Sequence, residues 1–105
     1  MAIVVHIDTL RVQALAFFPF IFIRKKSYRK DKVLMQHERI HIRQQIELLI
    51  IPFYIIYVLN WLFNRFKYKD AELAYKNIIF EREAYACEKT KKYLNNRSVW
   101  AFLKY

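Results

Sequence analysis

The sequence predicts a mainly α-helical fold with a minor β element (α+β, with helices dominant). The chain has no glycine and two prolines in 105 residues. Tight turns that need a positive φ are hard to build without glycine, so long helices joined by short polar loops are favoured. The residues are 56% hydrophobic and 18% aromatic, which excludes a disordered chain. Without a linker or an internal repeat, residues 1–105 are expected to form one domain.

The β element is expected at the start of the chain. Weak alternation over residues 1–13 predicts a short strand around Ile3 to Ile7. The apolar run Ala14 to Ile23 is rich in aromatic and β-branched residues, which favours a strand over a buried or membrane-dipping segment. Pro19 lacks a backbone donor, so it should confine this strand to an edge or an irregular position.

The first predicted helix follows a basic segment. Residues 24–32 hold six Lys and Arg side chains and should form a solvated loop. Asp31 can cap a helix that begins near Lys32. The helical pattern continues into the apolar stretch Leu48–Leu59, and Pro52 should kink or break it about one turn earlier.

The second half of the chain predicts another helix. Asp70 can cap a segment from Ala71 to about Leu94, in which apolar residues recur at helical spacing. Residues 95–98 are typical of a turn. The aromatic tail Val99–Tyr105 should pack back on the body.

The motif with a chemical meaning is His37-Glu38-Arg39-Ile40-His41, which reads HExxH. Imidazoles four residues apart lie on one face of a helix, close enough to bind one metal ion. Neutral imidazole is a good Zn²⁺ ligand, and catalytic zinc takes three protein ligands and a water. Glu38 is placed to accept the proton of that water and return it to a leaving amine. The alternative is a pair of exposed histidines on a basic helix.

Two acids of the later helix are candidates for a third ligand. Glu81 and Glu83 lie on a mostly apolar segment, and carboxylates are rarely buried without a partner. Each acid therefore needs a cation, a hydrogen-bond network or a metal, unless it lies in solvent or pairs with Arg82 or Lys89. The apolar character of the helical neighbours alone favours Glu83.

HExxH followed by a helix that reads Glu81-x-x-Ala84 resembles the gluzincin metallopeptidases, above all the CAAX prenyl protease and HtpX-like membrane peptidases and the BlaR-type sensor peptidases. The resemblance lies in motifs between residues 37 and 85. It implies a zincin-like fold, in which an active-site helix supplies two histidines and a second helix supplies a glutamate. His37, His41 and Glu81 would then be the Zn²⁺ ligands, with Glu38 as the general base of a zinc-dependent metallopeptidase that hydrolyses peptides or proteins.

The chain departs from those families in two respects. Tyr85 stands where they usually have aspartate. The chain is also short for a full peptidase, so a substrate-binding edge strand would have to come from residues 1–23, and a degenerate or regulatory zincin remains an alternative. The group that stabilises the oxyanion is left open among four tyrosines, namely Tyr54, Tyr57, Tyr75 and Tyr85.

The charge of the chain bears on its partners. Nineteen Lys and Arg against nine Asp and Glu give a net charge of +10, which suits an anionic membrane surface, nucleic acid or simple solubility. The sequence shows no helix-turn-helix, zinc-finger or glycine-rich RNA motif, which disfavours nucleic acid. The lone Cys87 favours a reducing compartment over a disulfide scaffold, so a cytoplasmic location is expected, with membrane association left open.

The apolar run at residues 48–63 leaves the membrane question open. It has sixteen residues with Asn60 as an interruption, whereas a spanning helix needs about 20. A core helix, a re-entrant segment and a transmembrane helix are the three interpretations. Trp61 and Phe66, beside Arg65 and Lys67, would suit a membrane surface. The second functional hypothesis is therefore a non-catalytic basic protein of membrane surfaces or other interactions, with incidental histidines.

Overall fold

The computed structural model describes residues 2–105 and confirms a mainly α-helical fold with a minor β element. Three strands form one sheet: β1 Ile3–His6, β2 Ala14–Phe17 and β3 Phe20–Ile23. The helices that follow are α1 Lys32–Leu48, α2 Ile50–Lys67, α3 Ala71–Lys76, α4 Ile79–Cys87 and α5 Tyr93–Asn96. Short 3₁₀ turns occupy Lys26–Lys30 and Ala101–Lys104.

The predicted strand over residues 14–23 is in fact a hairpin. The chain reverses at Phe18 and Pro19, whose peptide bond is cis, so that β2 pairs antiparallel with β3. Proline cannot donate to the ladder, and it therefore interrupts the run at its centre. β1 lies parallel to β3 on the other side, which gives the strand order β1-β3-β2.

The edge strand β2 is fastened to α1 by the amide side chain of Gln45. The Gln45 Nε2 donates to the Ala16 carbonyl at 2.9 Å, and its Oε1 accepts from the Phe18 N–H at 2.7 Å. Buried apolar residues of the sheet and α1 form the core beneath this contact: Ala16, Ile21, Ile23, Met35 and Ile42. These contacts fix the position of β2 beside the helix that carries HExxH.

Helix α1 begins and ends where the sequence predicts. Its N-terminus is capped by Asp31, whose Oδ1 accepts from the Leu34 N–H at 3.0 Å. It ends at Leu48, four residues before Pro52, and Leu49 joins it to α2 with a φ of 67°. Within the part of the chain described, no single helix has the length and apolarity to cross a membrane, but α1 and α2 together do, bent by 112°.

The single helix predicted over Ala71 to Leu94 is wrong, because the segment breaks into α3, α4 and α5. Asp70 caps α3 as expected, with Oδ1 accepting from the Glu72 N–H at 3.0 Å. The first break lies at Asn77 and Ile78, where Asn60 of α2 accepts the Ile79 N–H at 2.8 Å. A side chain from a distant helix therefore starts α4. The turn expected at residues 95–98 begins only after α5 ends at Asn96.

The aromatic tail packs on the body as predicted. The Phe102 ring lies 5.0 Å from the Phe80 ring, in a cluster with Phe53 of α2 and Ile78. A third cluster joins α1 to α4 through Ile40, Ala84 and Cys87. The two helices that carry the predicted site are thus packed directly against each other.

A buried arginine after α5 joins the same two helices. The Arg97 guanidinium donates to Glu47 of α1 at 2.6 Å and to Glu83 of α4 at 3.0 Å. The side chains of Arg97 and Glu83 are both 0% exposed. Burial raises the pKa of Glu83, but the hydrogen bonds from Arg97 and Tyr93 lower it by more. The pKa of Glu83 is therefore below its usual range. Glu83 is therefore a carboxylate, and Arg97 supplies its cation.

We expect Arg97→Met to lower the free energy of unfolding by about 3–5 kcal/mol, because the buried Glu83 charge loses its partner. Lys76→Met is the matched control, because it breaks the exposed Lys76–Glu72 pair at 3.5 Å. That variant should lose about 0–1 kcal/mol. Urea unfolding followed by circular dichroism measures both. Equal losses in the two variants would contradict a structural role for the Arg97 pair.

Candidate metal centre

Three buried side chains meet between α1 and α4. The Nε2 atom of His37 lies 3.0 Å from Glu81 Oε1, and the Nε2 atom of His41 lies 3.1 Å from the same oxygen. One ligand atom from each residue lies within 4.8 Å of those of the other two. The structure thus brings together the two histidines of HExxH and one of the two candidate acids.

The two acids of α4 point in different directions. Residues two apart on a helix are about 200° apart around its axis, so Glu81 and Glu83 cannot both face the histidines. Glu81 does so, whereas Glu83 faces Arg97, Tyr93 and Gln44. Both acids are buried, as the sequence suggested. Glu83 has a cation of its own, which leaves Glu81 as the acid available to a metal.

The other ring nitrogen of each histidine has an acceptor as its partner. His37 Nδ1 lies 2.7 Å from Glu88 Oε1, and His41 Nδ1 lies 2.8 Å from Gln44 Oε1. A carboxylate oxygen can only accept, so His37 Nδ1 carries the hydrogen. When the Nε2 proton that can bond to Glu81 is displaced, the lone pair is on Nε2, the atom that faces Glu81. Metal-binding histidines are typically oriented in this way.

The orientation of the Gln44 amide is fixed by its own contacts. Its Nε2 donates to the Phe80 carbonyl at 3.0 Å and to Glu83 Oε1 at 2.9 Å. Its Oε1 must therefore face His41, and His41 Nδ1 must be the donor. Gln44 links the predicted metal ligand to the buried ion pair of Glu83.

Glu81 is oriented in the same manner. The Tyr57 hydroxyl donates to Glu81 Oε2 at 2.6 Å, so Oε1 is the oxygen that faces both histidines. Each of the three residues thus has one atom held by the protein and another directed at the common centre. Two neutral imidazoles and one carboxylate form a ligand set that suits zinc with a fourth position open. The residues fit a Zn²⁺ ion.

The charges of the site favour a cation between these groups. Burial lowers the pKa of His41, but the Glu81 carboxylate raises it, to a net value of about 9. Burial raises the pKa of Glu81, whereas His41 and the hydrogen bond from His37 lower it well below its usual range. Positive charge at this point, as a proton or a metal ion, is therefore stabilised, and metal binding would displace the proton.

The predicted general base lies next to this cluster. Glu38 is buried, and burial raises the pKa of its carboxyl, although His41 and His37 oppose the shift. It lines two adjoining cavities, of about 570 Å³ and about 190 Å³. A carboxyl group with a raised pKa that opens on a cavity is suited to accepting and returning a proton.

The two cavities lie along the edge strand β2. The larger is bounded by the segment before β2, the first turns of α1, and Tyr75, Tyr85 and Glu88. The smaller is bounded by β2, α1 and α2, with Phe53, Tyr54 and Tyr57 among its walls. Val12, Ala14, Glu38 and Tyr75 line both. The expected edge strand from residues 1–23 therefore borders the space beside Glu38.

Of the four tyrosines left open as oxyanion stabilisers, two have other partners. The Tyr54 hydroxyl donates to the Ala16 carbonyl, and the Tyr57 hydroxyl donates to Glu81. Tyr75 and Tyr85 both line the larger cavity. Tyr85, at the position of the usual aspartate, packs its ring edgewise against His37 with a centroid distance of 4.5 Å.

Sequence reasoning missed the residues that orient the ligands. Gln44 lies three residues after His41, and Glu88 lies seven residues after Glu81, so helical spacing would have placed both near the site. Arg97 has no such signal. Comparison of the chain with protein-family models, with curated proteins and with solved structures finds no match. The assignment of this site therefore depends on the chain's own residues.

We expect the purified protein to bind one Zn²⁺ ion per chain, and Glu81→Ala to lower the affinity by at least tenfold because a ligand is removed. Glu72→Ala is the matched control, since Glu72 is exposed on α3. Metal analysis and competition with a chromogenic chelator measure stoichiometry and affinity. A protein without zinc after metal-replete expression would contradict the site.

We also expect Glu88→Ala to weaken zinc binding about 10–100-fold, because His37 would lose the acceptor that orients it. Glu88→Gln keeps an acceptor oxygen and should bind zinc more tightly than Glu88→Ala. The same chelator competition checks this order. Equal affinities for the two variants would mean that the contact with His37 Nδ1 has no orienting role.

Proposed function

We propose that the protein is a zinc-dependent metallopeptidase, with His37, His41 and Glu81 as Zn²⁺ ligands and Glu38 as the general base. The observation that carries the proposal is the convergence of the three ligand atoms beside a buried carboxyl group that lines both cavities. The resemblance to gluzincin motifs at HExxH and Glu81-x-x-Ala84 adds support.

The residues divide the work of hydrolysis. His37, His41 and Glu81 would hold the zinc ion, which when bound would supply Lewis acidity to a peptide carbonyl and to water. Glu38 would accept a proton from the attacking water and deliver it to the leaving amine nitrogen. Glu88 and Gln44 keep each histidine in the tautomer that leaves Nε2 free, and Tyr57 keeps Glu81 Oε1 towards the centre.

The remaining parts of the cleft suit a peptide. In the described residues β2 pairs only with β3. On its other edge Gln45 and Tyr54 already bind the Ala16 carbonyl and the Phe18 N–H, so an extended chain would pair with the part of the edge before Ala16. Burial, the nearby Glu81 charge and a hydrogen bond with Tyr85 raise the pKa of Tyr75, so its hydroxyl is protonated and would turn from Tyr85 to donate to a developing oxyanion. Tyr75 lines both cavities and is the tyrosine we assign to this role.

We expect Glu38→Gln to keep the zinc ion and to reduce hydrolysis of fluorescein-labelled casein by at least a hundredfold, because the amide cannot accept the proton. Glu72→Gln, the same change at an exposed site, should cleave as the wild type does. Fluorescence release and metal content are measured on the same samples. Undiminished cleavage by the zinc-loaded Glu38→Gln protein would remove Glu38 from the mechanism. Zinc-loaded wild type without any cleavage would favour the non-catalytic alternative.

A further inference from the structure

The long helix α2 contributes little to the protein core. Of its residues only Phe53 and Asn64 are buried. The exposed fraction is 72% for Ile51, 65% for Phe63 and 92% for Phe66. A run of large apolar side chains on one helix is left uncovered by the rest of the chain described.

The exposed residues of α2 occupy an arc of about 200° around the helix axis. We call its centre the α2 apolar face and define it by six exposed residues: Ile51, Ile55, Leu59, Leu62, Phe63 and Phe66. No charged residue occurs from Ile50 to Asn64. The first charges, Arg65 and Lys67, lie at the two margins of the arc, on either side of Phe66.

The apolar surface continues beyond α2 onto the edge strand. The Phe17 ring of β2 stacks on Tyr54 with a centroid distance of 5.8 Å. A groove of about 610 Å³ lies between the two elements, and its walls are almost wholly apolar: Phe17, Ile50, Ile51, Tyr54, Ile55, Val58 and Leu59. A contiguous exposed apolar surface of this kind is typical of a binding site for another protein or for a membrane.

The width of the arc and its charged margins favour a membrane over a second protein. A helix that packs on a second protein surface usually buries a stripe about 100° wide, which would leave much of this arc in water. Lipid can contact every exposed side of a helix. Two copies of a chain with a net charge of +10 would repel, whereas phosphate headgroups attract Arg65, Lys67 and the adjacent Lys69.

We propose that the α2 apolar face inserts into the surface layer of an anionic lipid bilayer. The helix lies in the plane of the interface, with its apolar side chains among the acyl chains. Arg65, Lys67 and Lys69 contact the phosphates. This binding does not depend on the metal centre, and it goes beyond the proposed peptidase function.

The test is sedimentation with lipid vesicles. The wild-type chain should bind vesicles of phosphatidylcholine and phosphatidylglycerol (3:1) more tightly than pure phosphatidylcholine, and added salt should weaken the binding. Leu59→Glu with Phe63→Glu should lower the partition coefficient more than tenfold, because two apolar anchors become charged. Val99→Glu with Leu103→Glu is the matched control, since these residues are 78% and 62% exposed on the tail.

The control variant, Val99→Glu with Leu103→Glu, changes the net charge by the same amount as Leu59→Glu with Phe63→Glu. It should lose only the small electrostatic part of the affinity for vesicles. Circular dichroism shows whether each variant is folded. A third variant, Arg65→Glu with Lys67→Glu, tests the charged margins and should lose the preference for anionic vesicles. Failure of the wild type to bind anionic vesicles would overturn the proposal. Equal losses in the two apolar double variants would overturn it as well. A stable dimer of the wild type would also overturn the proposal if the wild type does not bind vesicles and Leu59→Glu with Phe63→Glu dissociates the dimer. Sedimentation velocity detects such a dimer.

Discussion

Two carboxylates of α4 are buried against α1, and the packing of α4 and of the segment after α5 on α1 depends on the balance of their charge. A buried carboxylate without a partner is costly, and the cost falls only when a cation and hydrogen bonds surround it. Glu83 is balanced by Arg97, which the chain supplies from beyond α5 and which also reaches Glu47 of α1. Glu81 is balanced by the two histidines of α1. Each acid therefore holds α4 to α1, Glu83 through a permanent cation and Glu81 through two histidines, at the site where we propose a metal ion.

The two sites are not independent, because Gln44 touches both. Its oxygen accepts from His41 and its nitrogen donates to Glu83. A change in the ion pair would therefore alter the orientation of one imidazole ring. Arg97 lies far from HExxH in sequence, but only three hydrogen bonds separate it from the predicted ligand His41, by way of Glu83 and Gln44. One buried network therefore has both a structural and a chemical role. Within residues 2–105, every buried side-chain nitrogen and oxygen has a hydrogen-bond partner.

The features that the sequence predicts well are local ones. The Asp31 and Asp70 caps, the break before Pro52 and the facing of His37 and His41 each depend on residues within one helical turn. The features it does not predict depend on distant partners. Asn60 sets the start of α4, and Arg97 decides which of Glu81 and Glu83 is free to face the histidines. The helical-face argument favoured Glu83, and it could not anticipate that a buried arginine from the tail would occupy that side. The apolar composition of α2 likewise suggested a core helix as readily as an exposed one.

Leu49, the residue between α1 and α2, limits how the two helices can move. It has a φ of 67° and a ψ of 155°, a backbone region that is populated almost only by glycine, and this chain has none. Such a conformation costs about 1–3 kcal/mol and persists only because the surrounding structure holds it. Gln44 and Gln45 lie within the last turns of α1, next to Leu49. The side chains that orient His41 and fasten β2 therefore lie beside a strained backbone position, and a rotation of α2 that let Leu49 relax would disturb both of them first.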